Sequence, residues 1–349
     1  MLCQSIKREQ WVDKLKTRML QVPYVHMVFT LPHEFNGLCR NNQIELYSLV
    51  MRSAWQTVRE IFKLNDVEPG MTSVLHTFGS SMSYHIHVHA LVTYGGINHA
   101  NEWIYPDVNY GIERYRKVCA VWKRIVLENI QTLFTKNKLV YHENYETVTA
   151  NTQKTRWVVH TTRPTAHTET IEKYLAKYIN RIGISDSRVQ YFKDHSKVII
   201  QYNDYKAQQQ NQAAPKAFMM MEPLVFIHQI LQHVLPRYFQ KSRNYGLHKL
   251  SKANRDTIPE VLKRNGVTVR TLFQIISQLM GLDTMKCDNC GQSEFAREEL
   301  LPNRKWILSY LTKNTEGRSP PQRKTHIKSQ ILTIIPDNSK AFLMSSKSK

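Results

Sequence analysis

The sequence predicts an α+β fold: a mixed α+β domain followed by a mainly helical, basic C-terminal region. Three observations predict it. Apolar stretches of period two and of period 3.6 interleave up to about residue 205, without the regular β-α-β alternation of a parallel sheet. A polar, low-complexity tract, KAQQQNQAAPKA at 206–217, then separates them from helical patterns. The chain also carries 48 Lys+Arg against 28 Asp+Glu, a net charge of +20. A surplus of that size favours a polyanionic partner, usually nucleic acid.

Composition excludes several classes. The 349 residues are about two domains' worth of chain, and 42% are hydrophobic, so a wholly disordered polymer is excluded. No apolar run approaches the ~18 residues of a membrane span. The start, MLCQSIKREQWVDKLK, is charged within seven residues and has no apolar signal core, which argues against secretion. Five cysteines without an even framework fit a reducing cytoplasm.

The elements follow in order. Residues 5–20 place Ile6, Trp11, Val12, Leu15 and Met19 at helical spacing. Tyr24–Leu31 is β-branched and aromatic between Pro23 and Pro32, so it reads as a buried strand. Asn41–Leu64 repeats apolar residues as a long amphipathic helix. Ser73–Phe78 and Tyr84–Tyr94 are two strands around a GlySerSer turn, and Gly95-Gly96 ends the second. Ile112–Thr135 is a second long helix and Trp157–Thr161 a short strand. Between them LVYHENYETVTA reads as β-rich or turn. Glu169–Ile182 is helical, capped by Thr168 and stopped at Gly183. Val189–Phe192 and Lys197–Tyr202 form a hairpin. Glu222–Leu235 and Val267–Met280 are helices. The last 49 residues carry ten Lys+Arg and two Asp+Glu, a pattern of a flexible basic arm. The expected divisions are an N-terminal helix at 1–22, a catalytic domain at 23–205, a linker at 206–217, a helical region at 218–300 and the tail at 301–349.

The densest chemical signal is His85-Ile86-His87-Val88-His89. In a strand, residues i, i+2 and i+4 share a face, about 7 Å apart, so neighbouring imidazoles can grip one divalent metal. His76 lies one predicted strand earlier and folds back alongside if the turn forms. Imidazole suits several metals, so this cluster does not choose among them. Tyr174 and Tyr178, in IEKYLAKYINR, stack on one helix face at i, i+4. Lys173, Lys177 and Arg181 around them suit phosphate contacts. Seventeen tyrosines make such a pair common by chance, and only the histidines give it meaning. A phenol, with a pKa near ~10, attacks poorly unless its electrophile is activated, and a metal-polarised phosphate is such an electrophile.

These residues resemble a known family. His87-Val88-His89 in LHTFGSSMSYHIHVHALVTYGG is similar to the His-hydrophobic-His motif of HUH-type nucleases. YLAKYINRIGIS resembles the paired-tyrosine helix of rolling-circle transposases of the bacterial insertion-sequence-ninety-one family. VPYVHMVFTLPHEFN, WVVHTTRPTAH and FIHQILQHVLPRYFQKSRNYG match further, so the resemblance covers roughly residues 10–250. It implies an antiparallel sheet carrying the histidines and a helix presenting the tyrosines beside it. It implies His87 and His89 as metal ligands and Tyr174 and Tyr178 as nucleophiles in a rolling-circle-like transfer of single-stranded DNA through a 5′-phosphotyrosine. His76 is the expected third ligand, with Glu172 and His85 as alternatives. Mg²⁺ or Mn²⁺ suits phosphoryl transfer better than zinc. The partners it implies are single-stranded DNA at element ends and target, with no membrane, and the expected location is the bacterial cytoplasm at the nucleoid.

Two features stand apart. Members of the family usually open with a cysteine/histidine zinc-binding module, and here the expectation is that it is missing, with Cys3 as its remnant. Cys287-Asp288-Asn289-Cys290-Gly291 is half of a zinc site without a second CxxC, which leaves a structural zinc open. The competing readings are a plasmid replication initiator or relaxase with the same chemistry, and a decayed, non-catalytic DNA-binding copy. A zinc hydrolase ranks last, because no HExxH-like arrangement is present.

Overall fold

The computed structural model describes residues 2–63, 66–106, 112–140, 145–166, 183–205, 207–209, 212–251, 258–263, 267–281, 296–300, 332–333 and 341–345. Its fold is α+β with antiparallel sheets. The chain divides into two units, one of residues 11–269 and one of residues 1–10 with 270–349.

The larger unit is built on a five-stranded sheet. Its strands are β1 (Tyr24–Thr30), β2 (Gly70–Phe78), β3 (Tyr84–Thr93), β6 (Val158–Thr161) and β10 (Ser242–Gly246). Their order is β10-β2-β3-β1-β6, every pairing is antiparallel, and β3 runs through the middle. The hairpin β4 (Gly96–Ile97) and β5 (Trp103–Ile104) follows directly after β3.

Alternation along β3 gives the sheet two unlike faces. Ile86, Val88, Ala90 and Val92 are fully buried, with Met27 and Phe29 of β1 and Leu75 of β2, against two long helices. These are α3 (Gln43–Lys63) and α4 (Ile112–Thr135), which follow the short α2 (Asn36–Asn41). The apolar stripe of α3, Leu46, Tyr47, Val50, Met51, Ala54 and Val58, recurs at three- and four-residue steps and is buried throughout. Trp122 of α4 is fully buried and donates its indole N–H to the carbonyl of Thr30 at 3.1 Å. The opposite face is apolar at one end and imidazole at the other. Tyr24 and Leu91 pack there under Leu15, Met19 and Leu20, in and just after α1 (Leu2–Lys16), and under Leu247, Ile258 and Leu262.

A smaller sheet, β7 (Val189–Phe192), β8 (Lys197–Asn203) and β9 (Lys216–Met221), sits against the β2–β3 turn. Met82 of that turn packs with Ile184, Val198, Ile200 and Met221. Arg188 donates to the carbonyls of Gln201 at 2.7 Å and Ser80 at 2.6 Å. His233, just past the helix Pro223–Leu231, bonds Thr77 Oγ1 at 3.2 Å and the Met82 carbonyl at 2.9 Å. The turn that precedes the histidine strand is therefore held from two sides.

The structure differs from the sequence expectation in three places. Residues from Tyr145 onward, read as β-rich or turn, form the helix α5 (Tyr145–Lys154). Tertiary packing overrides the local preference there: Val148 lies against the main core and Trp157 donates to the carbonyl of Thr152 at 2.9 Å. The stretch 218–300, read as helical, contains most of β9 as well as β10, because each finds an open edge to pair with, on β8 and β2 respectively. Leu332–Thr333 and Ala341–Ser345, inside the expected flexible arm, are strands paired in a sheet with Ala296–Leu300. In this second unit the helix Leu272–Met280 starts with a capping box between Thr271 and Gln274, and its Ile275 and Ile276 pack on Ile6. No described helix is long and apolar enough to cross a membrane.

Candidate metal centre

Register brings the histidines together. His76 of β2 pairs directly with His87 of β3, and His89 lies one same-face position further, opposite Val74. Directly opposed residues share a face of the sheet, so His76, His87 and His89 all project away from α3 and α4. Ring centroids are 5.3 Å apart for His76–His87, 4.8 Å for His76–His89 and 4.9 Å for His87–His89. The ligand nitrogens of these three residues lie within 4.8 Å of one another. One ion at ~2.1 Å from each nitrogen sets them about 3.0–3.6 Å apart, so the rings close in by at most roughly 1–2 Å to hold it. His76 and His89 are buried and His87 is half-buried, so the group is shielded but open along one side. Phe78 lies parallel to the His76 ring at 5.2 Å and limits its rotation.

Hydrogen bonds select which nitrogen each ring presents. His87 Nδ1 lies 3.0 Å from the carbonyl of His85, which only accepts, so Nδ1 carries the proton and Nε2 the lone pair. His89 Nδ1 is 3.0 Å from Nε2 of His26 on β1. Burial, reinforced by the neighbouring charge of His160, pushes the His26 imidazolium down to about 4, so His26 is neutral at ordinary pH. Burial also holds His85 below the ordinary histidine value.

The three histidines expected from the sequence to hold a metal are thus brought together. His85 shares their face, with its ring 5.0 Å from that of His87, but it is outside the converging group. Sequence reasoning missed His26. The signal was present in YVHMVFT, a histidine at an alternate position of a buried strand, but its neighbour depends on register. Tyr174, Tyr178, Lys173, Lys177, Arg181 and Glu172 lie outside the described residues, as do the predicted helix over 169–182 and Cys287 with Cys290.

Comparison with known proteins bears on this site. A family model described as "Putative transposase" matches residues 70–256, which include all three histidines. A second, described as "Transposase zinc-binding domain", matches residues 1–31. That match corrects the expectation that the chain lacks such a module: the segment aligned to it includes α1 and β1. Among curated proteins, "Putative transposase y4qJ" of Sinorhizobium fredii is 28% identical over 257 residues, covering 70% of this chain and 63% of that protein. "Transposase for insertion sequence element IS801" of Pseudomonas savastanoi pv. phaseolicola is 23% identical over 298 residues, covering 83% of this chain and 71% of that protein. The chain thus spans slightly less than two thirds of the first relative's length. No solved structure matches it. With more than half of its length matched by the first model, this chain belongs to the transposase family that this model describes.

Proposed function

We propose that this transposase cuts single-stranded DNA at the ends of its element through a tyrosine nucleophile, at a divalent metal held by His76, His87 and His89. The observation that carries the reading is the convergence of those three imidazoles on the polar face of the central strand. All-nitrogen ligation favours Mn²⁺ over Mg²⁺ among the two ions suited to phosphoryl transfer. When bound, the ion supplies positive charge to the scissile phosphate and makes its phosphorus a better electrophile.

The chain's own groups then divide the work. The phenol of Tyr174 or Tyr178 gives up its proton to water as its oxygen attacks phosphorus, the bond to the 3′ oxygen breaks, and that oxygen takes a proton from water and leaves as a 3′-hydroxyl. The 5′ end stays linked to the tyrosine as a phosphodiester, so the strand can later be passed to another 3′-hydroxyl without an external energy source. Two tyrosines let one hold the first cut end while the other makes a second cut. Lys173, Lys177 and Arg181 supply positive charge to the DNA backbone beside them.

The test uses single-stranded oligonucleotides carrying the element's own ends, labelled at either terminus, with Mn²⁺ and denaturing gels. The expected result is a denaturant-stable adduct on the new 5′ end of the downstream fragment, so that the 3′ label travels with the protein, absent from the Tyr174→Phe/Tyr178→Phe double variant and reduced at least ~100-fold in His87→Ala. Salt-sensitive DNA binding without any adduct would reject the chemistry and leave a non-catalytic DNA-binding protein.

A further inference from the structure

The geometry points to His26 as a positioning residue that fixes the orientation and tautomer of the metal ligand His89. The inference rests on the reading of His76, His87 and His89 as a metal site. It assigns a task to a residue of a different strand that is not one of the three.

The two rings are joined edge to edge. His26 Nε2 and His89 Nδ1 are 3.0 Å apart, the ring centroids 5.2 Å, and the planes differ by 12°. The centroid separation exceeds the N···N distance by about two ring radii, so both nitrogens lie on the line between the rings. The contact is therefore a linear, in-plane hydrogen bond and not a face-to-face stack. A ligand imidazole has one nitrogen for the metal and one N–H to place. With Nδ1–H directed at His26, the lone pair of His89 is on Nε2, the same choice that the His85 carbonyl imposes on His87.

His26 is itself firmly held. Its backbone N–H donates to Thr162 Oγ1 at 3.0 Å, and its carbonyl accepts from the Thr162 N–H at 3.0 Å. It pairs with Leu91 in the β1–β3 ladder, one same-face position from His89, which pairs with Val28. At 7% exposure it sits in a place where an apolar side chain would be cheaper to bury. Metal-ligating histidines commonly donate their second nitrogen to an acceptor, and loss of that acceptor weakens metal binding about 10–100-fold. Here a neutral imidazole occupies the position more often held by a carboxylate or a carbonyl. It orients the ligand without adding negative charge beside the phosphate of an incoming DNA strand.

The experiment titrates Mn²⁺ into the full chain and follows the free ion by electron paramagnetic resonance, with melting curves recorded without metal. His26→Leu removes the acceptor, as does His26→Val, which suits a strand if the leucine variant folds poorly. His26→Gln restores an acceptor at similar reach. The expected result is 10–100-fold weaker binding in the apolar variants and binding within about threefold of wild type in His26→Gln. Wild-type affinity in a folded apolar variant, or a glutamine variant as weak as the apolar ones, would overturn the role of His26. If instead wild type and His87→Ala bound Mn²⁺ alike, the three-histidine site itself would fail, and this inference with it.

Discussion

His76 and His87 stand directly opposite each other in the β2–β3 ladder, their ring centroids 5.3 Å apart and their planes at 75°. The near-perpendicular rings turn different edges toward the space beside His89. Immediately past this pair the register shifts, so that His85 and Ile86 on β3 together face only Thr77 on β2. A bulge at this point increases local twist and re-aims the side chains next to it. His85 therefore lies just beyond the regular ladder that lines up the other three.

His76→Ala should accordingly weaken Mn²⁺ binding at least ~100-fold, whereas His85→Ala should change it by less than about threefold. Titration of both variants under the conditions used for His26 checks this. The reverse pattern, a large loss in His85→Ala and little in His76→Ala, would move the third ligand from His76 to His85.

Saturating metal should also stabilise the chain. A ligand at ~100 times its dissociation constant adds about 2.7 kcal/mol to the folded state. For a unit of this size that is a rise of roughly 5–10 °C in melting temperature, reversed by a chelator and absent in His89→Ala. A chelator-insensitive melting curve would argue against the site.

Tyr47 of α3 and Tyr84 of β3 meet inside the core with their hydroxyls 2.7 Å apart. Burial pushes the Tyr47 phenol up to about 12 and raises that of Tyr84 as well. Tyr84→Phe should cost about 1–3 kcal/mol in urea unfolding, because it leaves the Tyr47 hydroxyl buried without this partner. The Tyr47→Phe/Tyr84→Phe double variant, which removes both polar groups, should recover part of that loss.

Lys241 sits across from Leu75 at the start of β10, its carbonyl accepting from the Leu75 N–H at 2.9 Å. Burial lowers its ammonium from 10.5 to about 8. Between those values the unfolded chain holds a proton that the folded chain has released, so this residue's contribution makes stability rise with pH across that window. Below pH 8 its full penalty stands. Lys241→Met should stabilise the protein by about 1–3 kcal/mol at pH 7, and the gain should shrink toward pH 10.5 in parallel urea titrations.

Gly246 ends β10 with φ of +52°, and a Cβ there would lie 2.0 Å from the carbonyl oxygen of Pro69. The Pro69 backbone on one side and the Trp55 ring, 2.7 Å away, leave it little room. Gly246→Ala should destabilise by more than ~2 kcal/mol, measurable as a lower urea midpoint.

Much of this was legible in the residues because it depends on near neighbours. Period-two alternation commits His85, His87 and His89 to one face whatever the strand pairs with, and the periodicity of 43–63 and 112–135 specifies two amphipathic helices. The polar tract at 206–217 and its flanks show the opposite case. Their local pattern pointed to a linker and helices, but an open sheet edge made part of that region β9 and β10.

By itself, then, the sequence determined the α+β class, the two-faced histidine strand and the turn that lets His76 fold back, all through local geometry and hydrophobic period. The tertiary structure alone decided that His76 faces His87 squarely, that His85 falls beyond the bulge, and that His26 reaches His89 from a strand over fifty residues earlier. Those outcomes are matters of register. A slip of one residue would send each side chain to the opposite face, and what prevents the slip is the apolar face of the same strands buried against α3 and α4.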